Sequence, residues 1–144
     1  MCRSEVLILD DENARVERFK ASLAIINMSL TVWSERSAHD WIEGARARVA
    51  SACLISLDHD LYPPAGSDED WGDGLIAAKY LATCKPTCPV IVHSSNADAA
   101  RHMVGELELA GWDVHRALPL GSDWIESDWA VLVRELLAPS STSS

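Results

Sequence analysis

The chain of 144 residues contains 48% hydrophobic and 24% charged residues, a balance typical of one globular domain with a sizeable core. Its net charge of −10, from 12 Lys and Arg against 22 Asp and Glu, provides no basic face, so we expect no duplex nucleic acid partner. No apolar stretch is long enough to span a bilayer and the first residues lack a signal-peptide core, which predicts a cytoplasmic protein with no membrane partner.

Strand and helix signals alternate from the start of the chain. The apolar run EVLILD at 5–10 predicts a strand, and the spacing of apolar residues over 11–26 predicts a helix directly after it. The segment SLTVWS at 29–34 is a weaker strand, and Ser37 is a suitable N-cap for a helix over 38–51. These segments predict two consecutive β-α units.

Three more β-α units follow. ACLISL at 52–57 is uniformly apolar, as expected of a strand that helices cover on both faces of a sheet. A long polar loop, YPPAGSDEDWGDG at 62–74, separates it from a helix predicted over 74–84. The remaining strands and helices are predicted, in order, at 89–93, 97–110, 112–118 and 127–138.

Five β-α units predict a three-layer α/β/α sandwich around a five-stranded parallel sheet. Right-handed crossovers favour the strand order 2-1-3-4-5, which is the flavodoxin-like order. We expect residues 1–138 to form a single domain. The polar tail PSSTSS at 139–144 is predicted to be disordered.

Polar residues follow three of the predicted strands. They are Asp10 and Asp11 after the first strand, Asp58, His59 and Asp60 after the third, and His93, Ser94 and Asn96 after the fourth. In this strand order the first and third strands are neighbours, and ligands bind beyond the carboxyl ends of the strands at that point. The sequence therefore predicts that these side chains form one site.

Three converging carboxylates at Asp10, Asp11 and Asp58 would repel one another in the absence of a cation. A divalent metal would relieve that repulsion, and all-oxygen ligands favour Mg or Mn. Participation of His59 or His93 would move the preference toward Mn, Fe or Zn. The alternative is that Asp10 and Asp11 cap the following helix, a role that needs only one acid.

The motifs LILDDE, SLDHDLYP and PVIVHSS, with a later Asp-Gly pair, resemble the receiver domain of two-component response regulators. The resemblance implies that Asp10 and Asp11 hold Mg and that Asp58 accepts a phosphoryl group. It also implies that Ser94 grips the phosphoryl group and that the main-chain carbonyl of Asp60 binds the metal. It covers nearly the whole of the predicted domain.

One residue of the receiver pattern is missing. Receivers carry a lysine just before a proline after the fifth strand, and Leu118 stands at that position here. Arg116 could replace the lysine only in a different strand register, because its side chain should point to the opposite face of the sheet.

The departures from receivers point to a narrower resemblance. The pair His59-Asp60 and the histidine His93 are not usual in receivers. The series LDD, LDHDL and HSxN, in order at three strand ends, more closely resembles a receiver-like family proposed to process cyclic phosphates. That resemblance implies phosphoester chemistry on a phosphorylated or cyclic-phosphate small molecule.

A cyclic phosphodiesterase needs a metal, groups that transfer protons and donors that hold the phosphate. Besides the metal ligands, this sequence offers Asp58, His59 and His93 as catalytic residues, and Ser94 and Asn96 as phosphate-binding donors. The alternative interpretations are that His59 is a solvated loop residue and that His93 is a hydrogen-bonded strand end.

Two other functions remain open. A phosphoacceptor receiver would use Asp58 toward a phosphohistidine on a signalling protein partner, and Leu118 argues against it. A pseudo-receiver would serve only as an interaction module, which has no physical need for clustered acids.

The long loop is a candidate lid or specificity element. It carries Trp71, which could stack a nucleobase, with packing in the core as the alternative. The other five tryptophans are interpreted mainly as packing residues: Trp33, Trp41, Trp112, Trp124 and Trp129.

Overall fold

One sheet of five parallel strands organises the computed structural model, which describes residues 4–138. The strands are Glu5–Leu9 (β1), Thr31–Glu35 (β2), Ala52–Leu57 (β3), Val90–Val92 (β4) and Val114–Arg116 (β5). Their order is β2-β1-β3-β4-β5, which confirms the predicted order. The tail at 139–144, predicted to be disordered, lies outside the described residues.

Five α-helices cover the two faces of the sheet. They are Asn13–Ile26 (α1), Ala38–Ala45 (α2), Gly74–Ala82 (α3), Ala97–Leu109 (α4) and Ala130–Leu137 (α5). A 3₁₀ turn at Val49–Ser51 precedes β3, and a π-helical turn at Ile125–Trp129 leads into α5. Within the described part of the chain, no helix is long and apolar enough to cross a membrane.

The core divides into two apolar clusters, one on each face of the sheet. Alternate residues of β1 point to opposite faces, so Val6 and Ile8 pack with α1 and α5, whereas Leu7 and Leu9 pack toward α2, α3 and α4. All four side chains are fully buried. The apolar composition of β1 and β3 is thus explained by burial on both faces.

Two helices differ most in extent from the predictions. The helix predicted over 38–51 ends at Ala45, because the 3₁₀ turn that follows buries Val49 against the core before β3 begins. At the other end of the chain, α5 begins at Ala130, because the π-helical turn places Trp129 fully inside the second cluster.

The carboxyl ends of the three central strands lie at one level. Leu57 at the end of β3 pairs with Leu9 of β1 and with Val92 of β4. The residues that follow these strands therefore emerge side by side at one edge of the sheet. This edge is the topological switch point where ligands bind in such folds.

A glycine brings α3 close to this edge. Asp73 caps the helix by accepting a hydrogen bond from the Ile76 amide at 3.1 Å, and the Gly74 amide donates to the His59 carbonyl at 2.9 Å. A Cβ atom at Gly74 would overlap the Asp58 carbonyl oxygen. The absence of a side chain at Gly74 therefore sets the position of the loop that carries Asp58.

We predict that Gly74→Ala destabilises the fold by roughly 1–3 kcal/mol, because α3 or the loop after β3 must move to accommodate the methyl group. Gly105→Ala is the matched control, since Gly105 lies within α4 with open space around its Cβ position. The control should be neutral or stabilising by about 0.5–1 kcal/mol. Urea unfolding followed by tryptophan fluorescence measures both, and equal effects of the two variants would contradict the prediction.

Candidate functional site

A cleft of about 410 Å³ opens beyond the carboxyl ends of the central strands. Its walls come from the start of α1 and from the loops that follow β3, β4 and β5. Most of the lining side chains are polar, and Pro119 and Trp124 provide an apolar side. Five of the eight polar residues predicted from the strand ends line this cavity, namely Asp11, Asp58, Asp60, His93 and Ser94. The other three, Asp10, His59 and Asn96, lie next to lining residues but are not part of the lining.

Asp11 and Asp58 line the floor of the cleft, where they meet a third carboxylate, Asp10, which is buried and is not part of the lining. One oxygen each of Asp10, Asp11 and Asp58 lies within 4.8 Å of the other two. Asp10 is fully buried and Asp58 is 7% exposed. Such a set of hard oxygen ligands suits Mg or Mn, so the residues present fit the predicted metal.

Arg15 already provides a cation to this cluster. Its Nε and Nη2 atoms donate to the two carboxylate oxygens of Asp10, each at 2.9 Å, and Nη2 also lies 3.4 Å from Asp11 Oδ1 and 3.3 Å from Asp58 Oδ2. The predicted repulsion between unpaired carboxylates is therefore partly relieved by the protein itself. Arg15 is not among the site residues predicted from the sequence. Its position one helical turn after Asp11 could have indicated an ion pair with that acid.

The two most buried acids of the cluster titrate in opposite directions. Burial raises the pKa of Asp10, but hydrogen bonds and electrostatic attraction from His93 and Arg15 outweigh burial and lower that pKa below its ordinary value. Burial raises the pKa of Asp58 to about 6, because attraction from His93 and Arg15 offsets only part of the desolvation. Of these two acids, Asp58 is therefore the one that changes charge nearer neutral pH.

His93 belongs to a buried chain of hydrogen bonds. Trp129 Nε1, which can only donate, donates to Ser56 Oγ at 3.0 Å, and the Ser56 hydroxyl faces His93 Nδ1 at 2.7 Å. If the Ser56 hydroxyl donates to Nδ1, the neutral imidazole carries its proton on Nε2, which lies 3.0 Å from Asp10 Oδ2. His93 is thus a cleft-lining residue whose two ring nitrogens are both engaged, and it orients Asp10.

His59 lies between two acids. Its Nδ1 is 2.6 Å from Asp60 Oδ1, and its Nε2 is 3.7 Å from Asp73 Oδ2. Asp60 is the member of this group that lines the cleft. His59 is therefore connected to the cleft through Asp60, and its catalytic role remains a prediction.

Ser94 and Asn96 are held by the first turn of α4. Asn96 is the N-cap, since its Oδ1 accepts from the Ala99 amide, and its Nδ2 lies 3.4 Å from Asp60 Oδ1. Ser94 Oγ accepts from the Asn96 amide at 3.1 Å, so its hydroxyl hydrogen stays available to a ligand in the cleft.

The end of β5 carries no lysine toward the site. Leu118 is 47% exposed, and Arg116 pairs with Val92 in the sheet and donates from Nη2 to the Ser94 carbonyl at 3.4 Å. Arg15 is the only arginine or lysine among the described residues that line the cleft. The cation of the site therefore comes from α1 instead of β5.

The cleft tryptophan is Trp124. Trp71, the candidate for nucleobase stacking, is only 9% exposed and packs in the core with the Arg36 guanidinium 5.0 Å from its ring centre. Trp124 was assigned to packing from the sequence, and it does pack 6.0 Å from the His93 ring, yet it also lines the cleft. Its place in the wall depends on the loop after β5, which no sequence pattern specified.

Solved structures of similar fold are signalling receiver domains. The signal receiver domain of an HD domain-containing protein from Pseudomonas fluorescens Pf-5 superposes with a TM-score of 0.69 at 16% identity, covering 94% of each chain. The phosphorylated cyanobacterial phytochrome response regulator RcpA superposes with a TM-score of 0.67 at 18% identity, covering 99% of this chain and 100% of its own. A CheX-CheY-BeF3-Mg complex from Borrelia burgdorferi gives 0.63 at 16% identity, with 92% and 86% covered. These similarities define the class of the fold, which is the receiver domain.

The sequence also identifies a specific family within the receiver fold. A family model described as the cyclic-phosphate processing receiver domain matches residues 6–109, which include all the predicted site residues. The chain therefore belongs to the cyclic-phosphate processing receiver family. No curated protein matches the sequence.

We predict that metal-free protein loses stability as the pH rises from about 4 to about 6. The folded state holds the Asp58 proton up to a pKa of about 6, whereas the unfolded state releases it near 3.8, so deprotonation favours unfolding across this window. The loss should reach up to roughly 3 kcal/mol above pH 6. The lowered pKa of Asp10 acts in the opposite direction and below this window.

Denaturant unfolding in the presence of a chelator, at intervals between pH 4 and pH 7, measures this dependence. Asp58→Asn should flatten the curve over the window. Asp68→Asn, which removes an exposed acid from the long loop, is the control for losing a charge outside the cleft. Parallel curves for wild type and Asp58→Asn would show that Asp58 keeps an ordinary pKa.

Proposed function

We propose that this receiver-fold protein is a metal-dependent hydrolase of cyclic phosphodiesters that acts in the cytoplasm. The observation that carries the proposal is the meeting of the cleft residues Asp11 and Asp58 with the buried Asp10, to which His93 is hydrogen-bonded. Membership of the cyclic-phosphate processing family supports the substrate class, a phosphorylated or cyclic-phosphate small molecule.

Mg or Mn would be held by Asp10, Asp11 and Asp58, together with the main-chain carbonyl of Asp60 that the receiver pattern implies. A bound divalent cation supplies Lewis acidity that neutralises the nonbridging phosphate oxygens. The all-oxygen set is favoured over one that includes His93, because both nitrogens of that ring are already engaged.

The phosphate would be positioned from the α4 side of the cleft. The Ser94 hydroxyl has a free hydrogen to donate to a nonbridging oxygen, since its oxygen already accepts from the Asn96 amide. Asn96 can donate from Nδ2 if that atom exchanges its long contact to Asp60 for a phosphate oxygen. Both residues are hydrogen-bonded at the start of α4, which favours precise placement of the substrate.

Proton transfer would involve Asp58 and the two histidines. Because a carboxylate that coordinates a metal stays deprotonated, Asp58 would act in proton transfer only through an oxygen that does not bind the metal. We assign His59 to proton transfer through Asp60, which it contacts and which lines the cleft. We assign His93 to holding Asp10 in place. For proton transfer, its Nε2 would have to exchange the hydrogen bond to Asp10 for one to a substrate oxygen in the cleft that His93 lines.

The phosphoacceptor receiver is the second candidate. One observation favours it: Asp58 follows β3 beside the acid pair, as a receiver phosphoacceptor does, and its side chain borders the cleft. In that case a signalling protein would be the partner and the phosphoryl group would be attached to Asp58. The exposed Leu118 leaves such a phosphoryl group without the receiver lysine.

We predict metal-dependent turnover of at least one cyclic phosphodiester. The substrates to test are 2′,3′-cyclic nucleotides, 3′,5′-cyclic nucleotides and ADP-ribose 1″,2″-cyclic phosphate, each with Mg, Mn or Zn, followed by phosphorus NMR. His59→Ala and His93→Ala should each lower the rate about 100- to 10,000-fold, because each removes a proton-transfer group. His102→Ala, an exposed histidine on α4, should leave the rate unchanged.

Circular dichroism and metal titration check that each variant is folded and loaded. No turnover of any substrate by folded, metal-loaded protein would reject the hydrolase. Turnover that survives both histidine substitutions would keep the hydrolase and reject the proton-transfer roles assigned to His59 and His93.

We predict weak phosphoryl capture at Asp58. Beryllofluoride with Mg, followed by tryptophan fluorescence, and acetyl phosphate with Mg, followed by intact mass, should give no long-lived adduct, because Leu118 replaces the stabilising lysine. Leu118→Lys should increase capture. A stable aspartyl phosphate in the wild type would favour the receiver function over hydrolysis.

A further inference from the structure

Arg15 occupies the place that the metal would take. Its Nη2 atom lies 2.9 Å from Asp10 Oδ1, 3.4 Å from Asp11 Oδ1 and 3.3 Å from Asp58 Oδ2. Those three carboxylates are also the group that could hold a metal ion. Because Mg binds carboxylate oxygens at about 2.0–2.1 Å, an ion among these oxygens would lie within contact distance of the guanidinium. The two cations therefore exclude each other.

The charges of the cluster make this exclusion energetically important. Three carboxylates and the nearby Glu12 surround a single arginine, so the pocket retains excess negative charge when Arg15 is its cation. A divalent ion carries twice the charge of Arg15 and is compact enough to accept all three acids as direct ligands. Metal binding should therefore replace Arg15, and the wild-type affinity for metal includes the cost of releasing it.

A released Arg15 has a defined place to go. Its side chain is 26% exposed and it lines the cleft, so the guanidinium can turn from the floor toward the open volume without passing through the core. Among the described lining residues there is no other arginine or lysine, and Leu118 stands where the receiver lysine would be. A planar guanidinium can bind two nonbridging phosphate oxygens at once.

We propose that Arg15 is an internal counter-ion that divalent metal displaces from the three carboxylates, and that the displaced guanidinium then binds the phosphate of the substrate. Arg15 would thereby bind the substrate phosphate from α1, and it does not take the role of the receiver lysine at an aspartyl phosphate. This inference rests on the proposed function for the identity of its ligand, whereas the exchange between Arg15 and metal stands on geometry alone.

The test uses Arg15→Gln, Arg15→Lys and a matched control, Arg18→Gln. Arg18 lies one turn further along α1 and pairs with Glu126 outside the cleft. Isothermal titration with Mn or Mg in the absence of phosphate should show metal binding about 10-fold tighter in Arg15→Gln than in wild type. Arg18→Gln should match wild type, and Arg15→Lys should fall between, because it keeps the charge but loses the bidentate bond to Asp10.

Three further measurements test the exchange and the phosphate contact. The Arg15 side-chain Nε–H resonance, assigned by its loss in Arg15→Gln, should shift on addition of Mg, whereas the Arg18 resonance should not. Inorganic phosphate should bind the metal-loaded wild type at least 10-fold more tightly than metal-loaded Arg15→Gln. In metal-free protein, Arg15→Gln should melt below Arg18→Gln, because the carboxylates lose their counter-ion.

The outcomes of these measurements can be distinguished from a failure of the proposed hydrolase function. Tighter metal binding by Arg15→Gln and a metal-dependent shift of the Arg15 resonance would support the exchange even if no cyclic phosphodiester is turned over. Equal or weaker metal binding by folded Arg15→Gln would overturn the exchange even if hydrolysis is observed. Equal phosphate binding by wild type and Arg15→Gln would overturn the second half of the proposal.

Discussion

The carboxylate of Asp10 is the constraint on which the site depends. It has no solvent exposure, and a buried charge is tolerated only when it is paired and fully hydrogen-bonded. Asp10 accepts from the Glu12 amide, from the Arg15 guanidinium and from His93 Nε2. These three donors come from the α1 N-terminus, from α1 itself and from the end of β4. Removing any one of them would leave a buried charge partly unsatisfied, so the site and the local fold stabilise each other.

The hydrogen bonds of Asp10 extend through the protein to α5. His93 contacts Ser56 of β3, and Ser56 accepts from Trp129, which the π-helical turn places under the sheet. π-helical turns occur frequently at functional sites, and here the turn supplies a buried donor to the far end of the chain of hydrogen bonds. The edge where ligands bind is thereby linked to the helix that packs beneath it. A polar chain with every member satisfied is rigid and specifies a single arrangement of its residues.

The acidic cluster lowers the stability of the metal-free protein. A surface that served only for interaction would not require such a cluster. Burial raises the pKa of Asp58 to about 6, which means that its charged form is disfavoured in the free protein. Perturbed carboxylates in a cleft are characteristic of functional sites, where binding of a cation or substrate compensates for the unfavourable charge. The perturbed carboxylate of Asp58 and the family to which the chain belongs together favour a chemical role for the cluster over a purely structural one. Arg15 relieves part of this unfavourable charge, since it pairs with all three carboxylates in the metal-free protein.

The sequence alone determined the five strands, their order and the set of acids at the strand ends. Apolar periodicity identifies each strand and helix locally, and strands that alternate with helices through right-handed crossovers form one parallel sheet in this order. The sequence also located Asp10, Asp11 and Asp58 at one edge. Only the tertiary structure decided that Arg15 lies among them, that Ser56 and Trp129 support His93, and that Trp124 instead of Trp71 borders the cleft. Those contacts depend on how helices and loops pack across the sheet. Side-chain reach and burial between residues far apart in the chain set that packing, and no local spacing encodes it.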